Sequence, residues 1–190
     1  MKQSNKKNFK TPLLLLSAVF VMMCLARPVL AVSAAEIDMD VNNALKKLYA
    51  SSPAAQKIAP KAKGILVFPS VIKAGLVVGG QYGDGALLVD GKTVGYYNTT
   101  AASYGLQAGA QSFGYAMFMM TDESMKYLEK SAGWEIGVGP SIVVVDKGLA
   151  KSLTTSSAKE DIYVFFFAQK GLMAGLGIQG SKITKINPDK

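Results

Sequence analysis

Six acids from residue 84 onward, Asp84, Asp90, Asp122, Glu123, Glu135 and Asp146, are the first residues to test for chemistry. Two facing carboxylates can run a hydrolysis as general acid and base. Nothing in the spacing brings two of these six together, and most stand in turn or helix-start contexts. A calcium site needs several oxygen ligands at short spacing, and no such run occurs. The chain has no histidine, its only cysteine is Cys24, and its only arginine is Arg27. The usual zinc ligands, imidazole bases, thiol nucleophiles and guanidinium clamps are therefore missing from everything beyond residue 27. The expectation is a protein without catalytic residues, without a metal and without a cofactor.

The glycine-rich stretch Gly79-Gly80-Gln81-Tyr82-Gly83-Asp84-Gly85 lacks the spacing and following helix of a dinucleotide fingerprint. It also lacks the Gly-Lys-Ser/Thr of a P-loop. It reads as structural glycine in a twisted sheet.

The lysines carry more information. Six of them, Lys46, Lys47, Lys57, Lys61, Lys63 and Lys73, fall between Val41 and Gly83, where there is no acid. From Asp84 to Lys190 ten lysines meet ten acids, and Glu36, Asp38 and Asp40 precede the basic stretch. A basic, partly amphipathic helical segment can lie on an anionic surface while lysine stems cover apolar area. The plainer reading is a solvated helix face docked on a sheet through Leu45, Leu48 and Ile58, and the two readings can coexist.

The beginning of the chain changes how its net charge of +8 is read. Residues 1–10 hold four lysines and no acid, Leu13 to Ala26 is uncharged and apolar, and Ala31-Val32-Ser33-Ala34-Ala35 is a small-residue stretch. A basic start, a short apolar middle and an A-x-A-like end form a secretory signal. A spanning helix needs about 20 apolar residues, more than this run supplies. The expected organisation is a cleaved signal over 1–35, cut after Ala34 or Ala35 with Ala31 in reserve, and one domain over 36–190. Sixteen lysines and thirteen acids then remain, a net +3, which gives little ground for nucleic-acid binding. Met23 precedes Cys24 where a lipoprotein signal wants a small residue, so lipidation of Cys24 is not expected. The expected location is the periplasm or cell envelope.

The elements that position these residues follow from periodicity. Val41, Ala44, Leu45, Leu48 and Tyr49 recur on one helical face and predict a helix over 36–51. Ser52-Pro53 predicts a second, short helix to Ile58, ended by Pro60. Strands are expected at Gly64–Phe68, ending at Pro69, then at Leu76–Tyr82 and Ala86–Val89. Asp90-Gly91 followed by Val94–Tyr97 predicts a hairpin. Ser103–Met120 reads as one long bent strand or two. Thr121 should cap a helix of about ten residues with Met125, Leu128 and Ala132 inward and Gly133 as its stop. Strands follow at Trp134–Val138, Ser141–Val145, Ile162–Ala168, Leu172–Ile178 and Ile183–Ile186, with a loop over Ser152–Lys159. The run Val164-Phe165-Phe166-Phe167 should be buried on both faces. The fold class is α+β: one domain with an N-terminal helical segment and one further helix on a strongly twisted, mainly antiparallel β-sheet or partial barrel.

From about Val41 to Ile186 the chain resembles the SYLF-domain family. The resemblance rests on Ala62-Lys63-Gly64-Ile65-Leu66-Val67-Phe68-Pro69, on the Gly79–Gly85 stretch, and most specifically on Gly105-Leu106-Gln107-Ala108-Gly109-Ala110-Gln111. Gly139-Pro140 and Lys170-Gly171-Leu172-Met173-Ala174-Gly175-Leu176 complete it. One departure is Tyr97-Asn98-Thr99-Thr100 near where many members carry Trp-Ser-x-Pro. The family comprises lipid-binding modules of exported bacterial proteins and of eukaryotic membrane-traffic and actin-patch proteins. The resemblance implies a non-enzymatic domain whose N-terminal helix and basic surface meet lipid, at positions here matching the 41–83 lysines. The actin binding of the yeast branch does not carry over to an exported protein.

The expectation is therefore peripheral attachment to an anionic phospholipid membrane surface. Lys46, Lys47, Lys57, Lys61, Lys63 and Lys73 would engage headgroups, and Leu45 and Leu48 would insert. The alternative is a cell-envelope structural or interaction domain with a protein partner and no lipid ligand. An outer-membrane β-barrel is a third reading, disfavoured by the helical segments and the lack of aromatic girdles.

Overall fold

A computed structural model describes residues 32–75, 78–104, 109–130, 134–135, 139–154, 156–171 and 181–188. Residues 32–190 form one compact unit. Helix α1 (Ala34–Ser51) starts where the Ser33 hydroxyl accepts from the Glu36 N–H at 3.3 Å, and it buries Ile37, Val41, Ala44, Leu45 and Leu48. Helix α2 (Pro53–Ile58) is capped by Ser52, has Pro53 in its first turn and passes into a 3₁₀ turn at Ala59–Lys61. Pro60 thus ends the α-helix without breaking the chain's turn.

Among the described residues the sheet has eight strands. They are β1 (Gly64–Gly75), β2 (Val78–Val89), β3 (Lys92–Tyr104), β4 (Gly109–Met119), β5 (Trp134–Glu135), β6 (Ile142–Val144), β7 (Ile162–Gly171) and β8 (Lys182–Ile186), in the spatial order β5-β8-β3-β2-β1-β4-β7-β6. Every pairing is antiparallel except β6 with β7. Helix α3 (Asp122–Lys130) follows β4, and α4 (Lys147–Ser152) lies between β6 and β7.

The sheet curls. Strands β3 and β4 are three positions apart in the order, about 14 Å in a flat sheet. Yet the Tyr115 hydroxyl on β4 donates to Thr99 Oγ1 on β3 at 2.9 Å. Only a concave surface brings them together. Leu66, Phe68, Val71, Leu87, Tyr97, Phe113, Tyr115, Met117, Ile162, Val164 and Ile183 fill this concave face, with Leu128 of α3 packed among them. On the opposite, convex face Val67, Ala86, Leu88, Ala116, Phe118, Phe165 and Phe167 pack with α1 and α2. The expected two-faced burial of residues 164–167 holds: Phe165 and Phe167 join the convex core, and Val164 and Phe166 face the concave one. The α+β fold class holds with it.

Three expectations need correction. The first strand does not stop at Pro69 but continues to Gly75 with a register shift between Phe68 and Val71. A bulge tolerates proline because its missing N–H takes no ladder bond there. Secondly, Gly83-Asp84-Gly85 does not divide two strands, since β2 runs unbroken from Val78 to Val89. Its glycines make room for β1: a Cβ at Gly85 would collide with the Val67 carbonyl oxygen and the Phe68 ring, and on the other neighbour a Cβ at Gly114 would meet Phe167 and the Pro69 carbonyl. Thirdly, α4 was not expected; six residues with a glycine give almost no periodic signal, and its start is set by the Asp146 carboxylate accepting from the Leu149 N–H at 2.8 Å. The expected loop at 152–159 gives up Ser152 to this helix, and its described residues 153–154 and 156–159 carry no helix or strand. Of the two readings of Ser103–Met120, the two-strand one holds, as the end of β3 and then β4. The hairpin forms as expected, with Asp90 and Gly91 both at positive φ (49° and 74°), the left-handed pair that matches strand twist. The strand expected at Leu172–Ile178, the residues 136–138, Ala132 and Gly133 lie outside the described residues.

Candidate functional site

The helical layer on the convex face carries three of the candidate lysines, all exposed. On α1 the buried residues define one face, and Lys46 and Lys47 point away from it and are exposed. Lys46 borders a cleft of about 390 Å³ with Tyr49, Pro60 and Asp90. Lys47 borders a smaller one, about 210 Å³, with Asp40, Pro69, Ser70 and Phe167. Lys57 in the last turn of α2 borders a cleft of about 640 Å³ between α2, α4 and β7, shared with Lys151, Asp146, Phe165 and Phe166. Lys61 is exposed in the 3₁₀ turn.

The other two candidates stand apart. The Lys63 ammonium lies 3.5 Å from the Asp122 carboxylate, both largely exposed, a pair worth about 0–1 kcal/mol. Lys73 is half-buried on β1, directly opposite Gln81 and Gln111. It shares the face of Val71, so it belongs to the concave side, away from α1. The structure thus brings Lys46, Lys47 and Lys57 into one helical layer and does not gather all six lysines into one patch. Leu45 and Leu48 are 8% and 1% exposed. Their apolar area is spent on docking α1 to the sheet.

Two anchors escaped the sequence. Asp38 accepts from the Thr93 hydroxyl at 2.7 Å and from the Tyr96 hydroxyl at 3.0 Å, tying α1 to β3. Asp161 accepts from the Ser141 N–H and hydroxyl, both at 2.9 Å, and from the Thr121 hydroxyl at 2.9 Å. Backbone donation from Ser141 is the largest cause holding the Asp161 carboxyl below its ordinary value. Neither had a local signal, because the partners are 20 to 58 residues away. Lys151 was missed with its helix.

Four of the acids first weighed for chemistry stand apart from one another. Asp84 accepts from the Tyr82 hydroxyl and the Asn98 amide, Asp90 sits in the hairpin turn, Asp122 faces Lys63, and Asp146 caps α4. Among the described residues no three acids, histidines or cysteines cluster as metal ligands. No helix among them is long and apolar enough to cross a membrane. Burial pushes the phenols of Tyr49 and Tyr97 up, for Tyr97 with a smaller contribution from Glu129. Burial also raises Tyr115, partly offset by its bond to Thr99.

The described residues thus form a curled, mainly antiparallel sheet covered by helices that expose Lys46, Lys47 and Lys57 beside the acids of the first turns of α1. Residues 100–188 match the family model described as Ysc84, Las17-binding protein actin regulator. Over those residues the chain is similar to the Ysc84 (SYLF) family, which is described as a binding protein. No curated protein matches the chain. The matched segment runs from the end of β3 to beyond β8, so Lys46, Lys47, Lys57, Lys61, Lys63 and Lys73 lie outside it.

Proposed function

We propose that this protein is an exported, non-enzymatic domain that attaches peripherally to anionic phospholipid surfaces through the outer side of its helical layer. The observation that carries the reading is the exposure of Lys46, Lys47 and Lys57 on α1 and α2, together with Met39, 58% exposed and about two turns before Lys46 on the same side of the helix. With Leu45 and Leu48 docked, attachment is electrostatic, assisted by Met39 and the lysine stems. Each basic residue near an anionic surface contributes about 1 kcal/mol. Export rests on the residue 1–35 pattern. The Ser33 cap favours the reserve position after Ala31, which leaves α1 capped.

The test is co-sedimentation of the purified protein with vesicles of graded phosphatidylglycerol content in phosphatidylcholine. Binding should rise with anionic lipid and fall with salt. Replacing Lys46, Lys47 and Lys57 together by Gln should weaken it about 100-fold at low salt, from three contributions of that size. Unchanged binding in the triple variant would overturn this surface. The second reading, a protein ligand, is supported by the matched family's being described as a Las17-binding protein, and it would stand if no vesicle composition bound.

A further inference from the structure

The two glycine- and glutamine-bearing stretches that stand out in the sequence meet on the concave face. Register sets Lys73 of β1 opposite Gln81 of β2 on one side and opposite Gln111 of β4 on the other. Directly opposite residues of neighbouring strands lie on one face with Cβ atoms about 4.5–5.5 Å apart. The row continues through Ala101 on β3 and Gly171 on β7, so none of its five positions is acidic. It lies past the apolar filling of Phe113 and Tyr115, toward the end of the sheet where β1 finishes.

The row's ammonium and its unpartnered buried amide group are donors. Gln111 is 7% exposed, and its Nε2 is buried with no hydrogen-bond partner. Gln81 is equally buried, and its Nε2 donates to the Ser181 hydroxyl at 3.4 Å. Lys73 supplies an ammonium with three donors and carries no ion pair among the described residues. Buried polar groups in folded proteins are nearly always satisfied, and a buried donor beside an unpaired cation calls for an acceptor with negative charge. An amide alone would suit many ligands. The ammonium between two amides narrows the class to oxyanions.

We propose that Lys73, Gln81 and Gln111 form an oxyanion seat on the concave face, taking a phosphate or carboxylate group. It is separate from the α1 and α2 lysines on the other side of the sheet and does not rest on their binding vesicles.

The test is NMR titration of the purified protein, following the Gln111 side-chain amide signals, assigned by their loss in Gln111→Leu. Inorganic phosphate, acetate and short-chain phosphatidylglycerol below its micelle concentration are the probes. A saturable shift with phosphate or acetate assigns the seat to free oxyanions; one with the phosphatidylglycerol alone assigns it to a lipid headgroup. Lys73→Met should weaken the saturating ligand about tenfold or more, the loss of a charge-assisted bond, and Lys73→Arg should restore part of it. Gln111→Glu should abolish binding by supplying Lys73 with a carboxylate. If Lys73→Met proves unfolded, Gln111→Glu alone decides. No saturable shift with any probe, or equal affinity in a folded Lys73→Met or Gln111→Glu variant, overturns the proposal. Vesicle binding by the Lys46, Lys47 and Lys57 variant is read separately, so either idea can fail without the other.

Discussion

The convex and concave faces of the sheet are made from alternate residues of the same strands, yet they are buried by different means. On the convex face Val67, Ala86, Leu88, Ala116 and Phe118 are covered by a separate element, the apolar stripe of α1 with α2 beside it. On the concave face the sheet mostly covers itself. Phe68, Phe113, Tyr115 and Phe166 form a ring-against-ring cluster with centroids 4.8–6.3 Å apart, and Tyr115 reaches across two intervening strands to Thr99. The difference teaches where each face is vulnerable. The convex face depends on how well a helix docks, which is graded. The concave face depends on the curl, and the curl depends on close backbone approach around the β1 bulge.

The largest effect should come from filling that approach. Gly85→Ala drives a Cβ into the Val67 carbonyl oxygen and the Phe68 ring, and backbone cannot yield as a side-chain tip can. A loss of about 3 kcal/mol, at the upper end for overpacking, or failure to fold is expected in urea denaturation. A wild-type midpoint would show that the curl does not need this contact. Next is the helix-docked face. Leu48→Ala, at a residue 1% exposed, should cost about 2–4 kcal/mol. Tyr115→Phe is smaller, about 1–2 kcal/mol, because it removes one buried hydroxyl pair and keeps the ring. Combined with Leu48→Ala it should be additive within about 0.5 kcal/mol, the two sites sharing no partner. A larger coupling would mean that the faces are not independent.

The same contrast explains what could be read from sequence. The α1 face was legible because its signal is local: apolar residues at helical spacing can only be stabilised against something else. The Asp90-Gly91 hairpin was legible for the same reason, since two adjacent residues meet the demands of the turn. The concave face was not. Pro69 and Gly83-Asp84-Gly85 look like strand breaks when each strand is read alone. They become a bulge and its clearance only when β1 and β2 lie side by side. The row of Lys73, Gln81 and Gln111 is likewise a fact of register across three strands. As for the lysine segment, its charge was legible, but the chain's passage from α1 through α2 into β1 distributes those lysines over both sides of the sheet. Sequence proximity therefore overstated their grouping.

The smallest effect sharpens the comparison at the seam where both faces end. Asp161 joins the start of β7 to Ser141 before β6 and to Thr121 at the cap of α3, so it holds the concave face's one helix to the sheet. Its folded carboxyl is held below the usual aspartate value, first by the Ser141 N–H. A depressed folded value means that the ionised form contributes stability above the unfolded value, near pH 4, and that this is lost as pH falls through the folded one. Asp161→Asn should therefore be less stable than the parent at pH 7, by under about 1 kcal/mol because the carboxylate is accessible to solvent and screened. Urea midpoints from pH 7 to pH 2.5 should show the gap closing only below about pH 4. A gap of constant size across that range would assign the loss to the geometry of the acceptor rather than to its charge, and would make the α3 seam a matter of shape, like the curl it closes.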